Sequence, residues 1–307
     1  MQVKAATVTT MLMFRTSVQA WQRMTTSSSI SSTISSSSSR LFASTVSSGR
    51  PVATSSTRFM STSTPQSLFD SLSEGGSKSW AGNNVSDAMH ALYTADAVCF
   101  DVDSTVIAEE GIDTLAEYLG KGEEVAALTK EAMEGGMKFQ DALAARLELL
   151  RPSRQSIEKL LKEQPLVLTE NVQGLMSALQ QKSVDIWLVS GGFRIMIEPV
   201  ASQLSIPIDN IVANTIVFDD DGKYMDFDPN EPTSRDMGKP KALEMIESQK
   251  HYQTMVMVGD GATDAQAKPP AKAFIGFGGV IERAAVKEKA DWFVMDFEDM
   301  TKIVEMR

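Results

Sequence analysis

Three short apolar runs, at residues 97–100, 184–189 and 254–258, each stop abruptly at a cluster of acids, hydroxyls or glycines. Runs of this length bounded by turn residues read as buried strands. In an open α/β sheet, ligands bind beyond the carboxyl ends of the strands, so a charge placed there reaches a ligand while its strand stays in the core. Asp101-Val102-Asp103-Ser104-Thr105 follows the first run, Ser190-Gly191-Gly192 the second, and Gly259-Asp260-Gly261-Ala262-Thr263-Asp264 the third. Asp and Ser at one strand end also fit an ordinary turn. The recurrence argues for a site instead. Asp101, Asp103, Asp260 and Asp264 in one crevice would repel one another unless a cation neutralised them, and hard oxygen donors suit Mg²⁺.

The rest of the chain fits around these strands. Apolar residues at helical spacing from Ile112 to Leu161, broken at Gly120-Lys121-Gly122, Gly135-Gly136 and Pro152, predict several helices inserted just after the first strand, a cap over its end. From Pro165 onward helices and strands alternate, which predicts parallel βαβ units. Ser86 is predicted to cap a helix through Tyr93, and 169–182, 193–204 and 242–248 read as further helices. Residues 214–227 read as a hairpin turning at Asp219-Asp220-Asp221-Gly222, a solvated turn that lacks the spaced acids of a calcium loop. Residues 273–276 and 292–295 supply the last strands. The expected fold is α/β, a doubly wound parallel sheet of open strand order with a small helical cap domain. The expected boundaries are 1–65 for a disordered, transit-peptide-like segment and 66–94 for a linker and short helix. A catalytic core at 95–108 and 166–307 then encloses a cap at 109–165.

Charge separates the amino terminus from this body. No acid precedes Asp70, whereas Lys4, Arg15, Arg23, Arg40, Arg50 and Arg58 do; removing these six from the net −11 leaves about −17 for the remainder. So acidic a body argues against nucleic acid, which is bound by neutralising phosphates. The Ser-rich, Arg-bearing, acid-free start has the pattern of a mitochondrial or plastid import signal and lacks the apolar stretch of a secretory one. A low-complexity tail on a cytosolic protein is the alternative reading. No run of about 18 apolar residues predicts a membrane helix. Cys99 is the only cysteine and falls inside a strand, so it reads as core; His90 and His251 have no partner that indicates a triad or a metal site.

In that order, DVDST, SGG, a lysine and GDGATD resemble the haloacid dehalogenase superfamily of aspartyl-phosphate phosphotransferases. VDSTVIAEEGID, QPLVLTENV, SGGFR and AFIGFGG extend the resemblance from about Ala95 to the carboxyl terminus, and narrow it to the branch that hydrolyses O-phospho-L-serine to L-serine and phosphate, the last step of L-serine biosynthesis. The fragment Ala265-Gln266-Ala267-Lys268 departs from the Met-Glu-Ala that often follows GDGATD, which leaves the acids intact.

By this resemblance Asp101 is the nucleophile and Asp103 the general acid and base. Mg²⁺ is held by Asp101, Asp260 and the main-chain carbonyl of Asp103, with Asp264 acting through water or orienting a ligand. Ser190 and the Gly191 N–H bind phosphate at a helix amino terminus, and Lys239, with Lys241 as its competitor, neutralises charge. Glu110 faces the substrate ammonium, Arg146 its carboxylate, and Met133, Phe139 and Thr263 line the pocket. Without the resemblance, Arg146 reads as a solvated helix residue, and Met133 and Phe139 as core. Arg283 either anchors the loop Gly276-Phe277-Gly278-Gly279 or touches substrate. The implied partner is a small-molecule substrate, with no nucleic acid and no membrane; a homodimer is compatible with the resemblance. A phosphatase or phosphotransferase acting on another small ester, or a non-catalytic binding protein, are the alternatives.

Overall fold

In each central strand, side chains alternate between two apolar clusters. Val98 and Phe100 of β1 (Ala97–Phe100) enter one, while Ala97 and Cys99 enter the other. Ile186 and Leu188 of β2 (Asp185–Phe193) join the first cluster, Trp187 and Val189 the second. A sheet buried on both faces is what parallel βαβ connections produce, because their helices cover both sides. This arrangement comes from a computed structural model, which describes residues 65–75, 80–132 and 137–307. The import-signal reading of the amino terminus, up to residue 64, lies outside the described residues, as does Met133.

Six parallel strands lie in the order β3-β2-β1-β6-β7-β8, with β3 at Ile211–Asn214, β6 at Met255–Gly259, β7 at Ala273–Phe277 and β8 at Trp292–Val294. The doubly wound parallel sheet expected from sequence is present. A separate antiparallel pair, β4 (Ile216–Phe218) and β5 (Tyr224–Phe227), forms the predicted hairpin. Register converges on the site: Phe100 pairs with Leu188 on one side and Val258 on the other, so Asp101, Val189 and Gly259 follow at the same level of three neighbouring strands.

Among the described residues two helices precede β1: α1 (Pro65–Gly75) and α2 (Val85–Tyr93). Sequence reading gave only the second, and it misassigned the cap. The helix begins after Asn84, and the Ser86 hydroxyl instead donates to Asp70 of α1. Between β1 and the return to the sheet lie α3 (Gly111–Tyr118), α4 (Gly122–Glu131), α5 (Phe139–Leu150) and α6 (Arg154–Glu163). Ser153 starts α6 by accepting a bond from the Ser156 N–H at 3.0 Å, which satisfies one of the helix's orphan donors. The chain leaves and re-enters the core as a bonded ribbon, with Ala108 N–H donating to Val167 O at 3.0 Å and Thr169 N–H to Val106 O at 2.9 Å.

The remaining α-helices among the described residues are α7 (Val172–Gln181), α8 (Arg194–Gln203), α9 (Gly238–Lys250), α10 (Ala262–Ala265), α11 (Ala284–Lys289) and α12 (Phe297–Glu305). Among the described residues no helix is long and apolar enough to cross a membrane.

Candidate active site

Past Phe100 the chain does not run straight out. Asp101 keeps extended backbone and accepts the Val102 N–H on Oδ1 at 2.8 Å; a wide turn over Val102–Val106 follows, with Ser104 left-handed at φ 53°. That reversal turns Asp103 back beside Asp101, where Oδ1 accepts the Gly111 N–H at 2.7 Å. At the end of β6, Asp260 follows directly, while Asp264 on α10 folds back so that Oδ2 accepts the Gly261 N–H at 2.8 Å. A Cβ on Gly259 would lie 2.2 Å from the Asp264 carboxyl carbon, so that glycine makes room for the acid.

These elements enclose a cavity of about 440 Å³. Of the sequence-predicted residues, Asp101, Asp103, Glu110, Phe139, Arg146, Gly191, Lys239, Asp260 and Thr263 line it. Asp264 and Ser190 lie buried beneath it. Ser190 differs from expectation: β2 continues to Phe193 and α8 starts at Arg194, so Ser190 lies within the strand, four residues short of the helix. Its hydroxyl accepts the Gly192 N–H at 2.8 Å. The two lysines differ in burial. Lys239, in the first turn of α9, is buried with Nζ 2.7 Å from Asp101 Oδ1 and 2.5 Å from Asp264 Oδ1, whereas Lys241 is exposed.

The electrostatics follow from crowding. Burial, then the negative Asp101 and Glu110, push the Asp103 carboxyl up to about 7 against the pull of the Gly111 N–H and Lys239. Burial and Asp101 also raise Asp260 and Asp264, opposed by Arg283 and Lys239 respectively. For Lys239 burial alone would lower the pKa, but Asp101 and Asp264 outweigh it and hold the ammonium above the ordinary lysine value. Arg283, left open by the sequence, donates through Nε (2.9 Å) to Asp260 Oδ2, with a terminal nitrogen 2.8 Å from the same oxygen as an ion pair.

Asp101, Asp260 and Asp264 each offer a carboxylate oxygen, and the three oxygens lie within 4.8 Å of one another. Five carboxyl groups, those of Asp101, Asp103, Glu110, Asp260 and Asp264, face the cations Lys239, Arg283 and Arg146. If all ionise, two negative charges remain uncompensated, and a divalent cation on hard oxygen donors would balance them. The donor set therefore fits such an ion.

Several lining residues had no signal in the sequence. Arg235, Asp236 and Met237, in the loop before α9, close one side of the cavity, and Asp236 Oδ1 accepts the Phe139 N–H at 3.2 Å. Gly192 was read only as a neighbour of Gly191, yet a Cβ there would fall 2.8 Å from Asp103 Oδ2.

The family model for haloacid dehalogenase-like hydrolases matches residues 95–268, more than half of the chain, and the chain belongs to that family. Its relatives narrow the comparison. It is 46% identical over 220 residues to phosphoserine phosphatase from Bos taurus, covering 72% of this chain and 98% of that one. With the chloroplastic phosphoserine phosphatase of Arabidopsis thaliana it shares 48% identity over 209 residues, covering 67% and 71% respectively. A solved structure of a phospho-aspartyl intermediate analogue of phosphoserine phosphatase superposes with a TM-score of 0.59 at 31% identity, covering 68% of this chain and 98% of that chain.

Proposed function

We propose that this hydrolase is a Mg²⁺-dependent phosphatase that converts O-phospho-L-serine to L-serine and phosphate through an aspartyl-phosphate on Asp101. The observation that carries this reading is the pairing, in one cavity, of the Asp101–Asp103 turn with Glu110 and Arg146. An ammonium and a carboxylate on the substrate would find opposite charges there, and the phosphate would meet the acids' counter-cations. The relatives named as phosphoserine phosphatases support the same substrate.

Asp101 Oδ1 is engaged by the Val102 N–H and Lys239, which leaves Oδ2 to attack phosphorus. As that P–O bond forms and the bond to the serine oxygen breaks, Asp103 donates its proton to the leaving oxygen; a carboxyl raised to about 7 holds that proton near neutral pH. Asp103 then takes a proton from water, whose oxygen attacks phosphorus and frees Asp101. Asp101, Asp260, the Asp103 main-chain carbonyl and, directly or through water, Asp264 would hold Mg²⁺, which supplies shielding of the phosphate's charge. Lys239 holds Asp101 in place and neutralises charge, and Gly191 offers its N–H to phosphate. Ser190, bonded to the Gly192 N–H, braces the last residues of β2 beneath the phosphate.

Arg146 keeps its charge although burial lowers its pKa, and it suits a carboxylate by bidentate geometry. Phe139, Thr263 and Met133 are assigned to the pocket wall, and residues 109–165 to a cap that shuts over it. The acid-free amino terminus, together with a relative named as chloroplastic, supports import into an organelle.

Phosphate release from O-phospho-L-serine, followed with and without Mg²⁺, tests the reading. Turnover that requires the metal and vanishes in Asp101→Asn supports it; turnover unchanged by that substitution overturns it.

A further inference from the structure

Ser104 is buried, adopts φ 53° and ψ 13°, and donates its hydroxyl to Glu110 Oε1 at 2.7 Å. Left-handed backbone is strained for a residue with a Cβ, and glycine would adopt it freely. A serine here carries a conformational cost that its hydroxyl bond offsets. The same residue's N–H donates to Glu109 O at 3.1 Å, so it grips the outgoing chain through both backbone and side chain. Arg283 lies 3.6 Å from the same Oε1 of Glu110, and that guanidinium is already committed to Asp260.

We infer that Ser104 is a positioning residue that fixes Glu110 for a substrate ammonium and thereby sets the preference for amine-bearing phosphate esters. The inference rests on the role of Glu110 proposed above. With the Ser104 hydroxyl on Oε1, Oε2 remains for the ammonium. Without that hydroxyl, the strongest donor within reach is Arg283, and a carboxylate paired there has its charge spent before substrate arrives.

The test compares O-phospho-L-serine with its deamino analogue, 3-phosphonooxypropanoate, in the full-length protein with Mg²⁺, using wild type, Ser104→Gly and Glu110→Gln, together with thermal melting of each. Ser104→Gly is expected to melt at or above wild type. Its ratio of kcat/KM values for the two esters should fall about tenfold, carried by KM, the scale of one lost hydrogen bond to a charged group. Glu110→Gln should bring the ratio near one.

If Ser104→Gly keeps the wild-type ratio while Glu110→Gln flattens it, the role of Ser104 is overturned and that of Glu110 stands. A wild-type ratio near one, or a Glu110→Gln ratio equal to that of wild type, overturns the Glu110 reading and this inference with it. Equal losses on both esters through kcat also overturn it, since they place Ser104 in service of the Asp101–Asp103 turn alone. Should Ser104→Gly melt well below wild type, Ser104→Asn, which tolerates left-handed backbone and keeps a donor, is decisive. A ratio held near wild type supports the inference, and one as low as that of Glu110→Gln overturns it.

Discussion

The Lys239 ammonium nitrogen lies 2.5 Å from Asp264 Oδ1, and both groups are buried. The pair is the electrostatic keystone of the site, because the same nitrogen also touches Asp101. Removing one partner of a buried ion pair strands the others, at a cost of about 3–5 kcal/mol. Lys239→Ala should therefore lower stability by that amount in urea unfolding of the metal-free protein, and Mg²⁺ should restore part of it by binding the stranded carboxylates. Lys241→Ala, at an exposed position two residues on, should change stability by less than about 0.5 kcal/mol.

Gly192 makes a sharper test of geometry. An added Cβ would sit 2.8 Å from Asp103 Oδ2 and 3.1 Å from Ser190 Oγ, contacts that only a shift of these side chains relieves. Since a misplacement of about 1 Å costs roughly 100-fold in rate, Gly192→Ala should lower kcat by about that factor. Its loss of melting temperature should be modest, because the displaced carboxyl is a side chain and not the sheet. A phosphate-release assay beside a thermal melt checks both; full activity would place the proton donor elsewhere.

Protons and metal should compete for the acid cluster. The folded Asp103 carboxyl, pushed up to about 7, lies above the roughly 4 of an unfolded aspartate, so the folded state binds this proton more tightly. Its stabilising contribution is complete below about pH 4 and is lost as pH rises through about 7. Asp260 and Asp264 are shifted in the same direction. In melts of the metal-free protein, stability from this cluster should fall between pH 5.5 and pH 8. The gain on adding Mg²⁺ should be larger at pH 8, where no protons need displacing; an equal gain at both values would count against these carboxylates as ligands.

What could be read from sequence was decided by how local the signal is. The strand ends at Asp101 and Asp260 were legible because an apolar run stopping at an acid is written in adjacent residues, and the in-register pairing of Phe100 with Leu188 and Val258 then brings those ends together. The preference for Lys239 over Lys241 rests on the family resemblance alone, because both lysines precede the helix read at 242–248 and only the packing of α9 decides which is buried. Ser190 was expected at a helix terminus because strand and helix meet at Ser190-Gly191-Gly192, and glycines do not say on which residue the strand stops. Arg235 and Asp236 reach the cavity through a loop whose path depends on contacts far away in sequence, such as that of Asp236 with the Phe139 N–H.

Helix α1 was also missed, although Leu68, Phe69 and Leu72 share one face of it. The strip is short, and the Ser-rich sequence before it hides it. Phe69 is wholly buried, its ring meeting that of Tyr93 edge-on at 5.4 Å between centroids, within the larger apolar cluster. So short a helix is marginal alone in water, and its stability must come from this packing. Phe69→Ala should therefore cost about 3–5 kcal/mol in chemical unfolding and open α1 to limited proteolysis. Among the described residues, none of α1 lines the cavity, so at temperatures where the variant stays folded its kcat and KM should remain those of wild type. A variant whose stability and protection were unchanged would mean that α1 is held by something other than its buried phenylalanine.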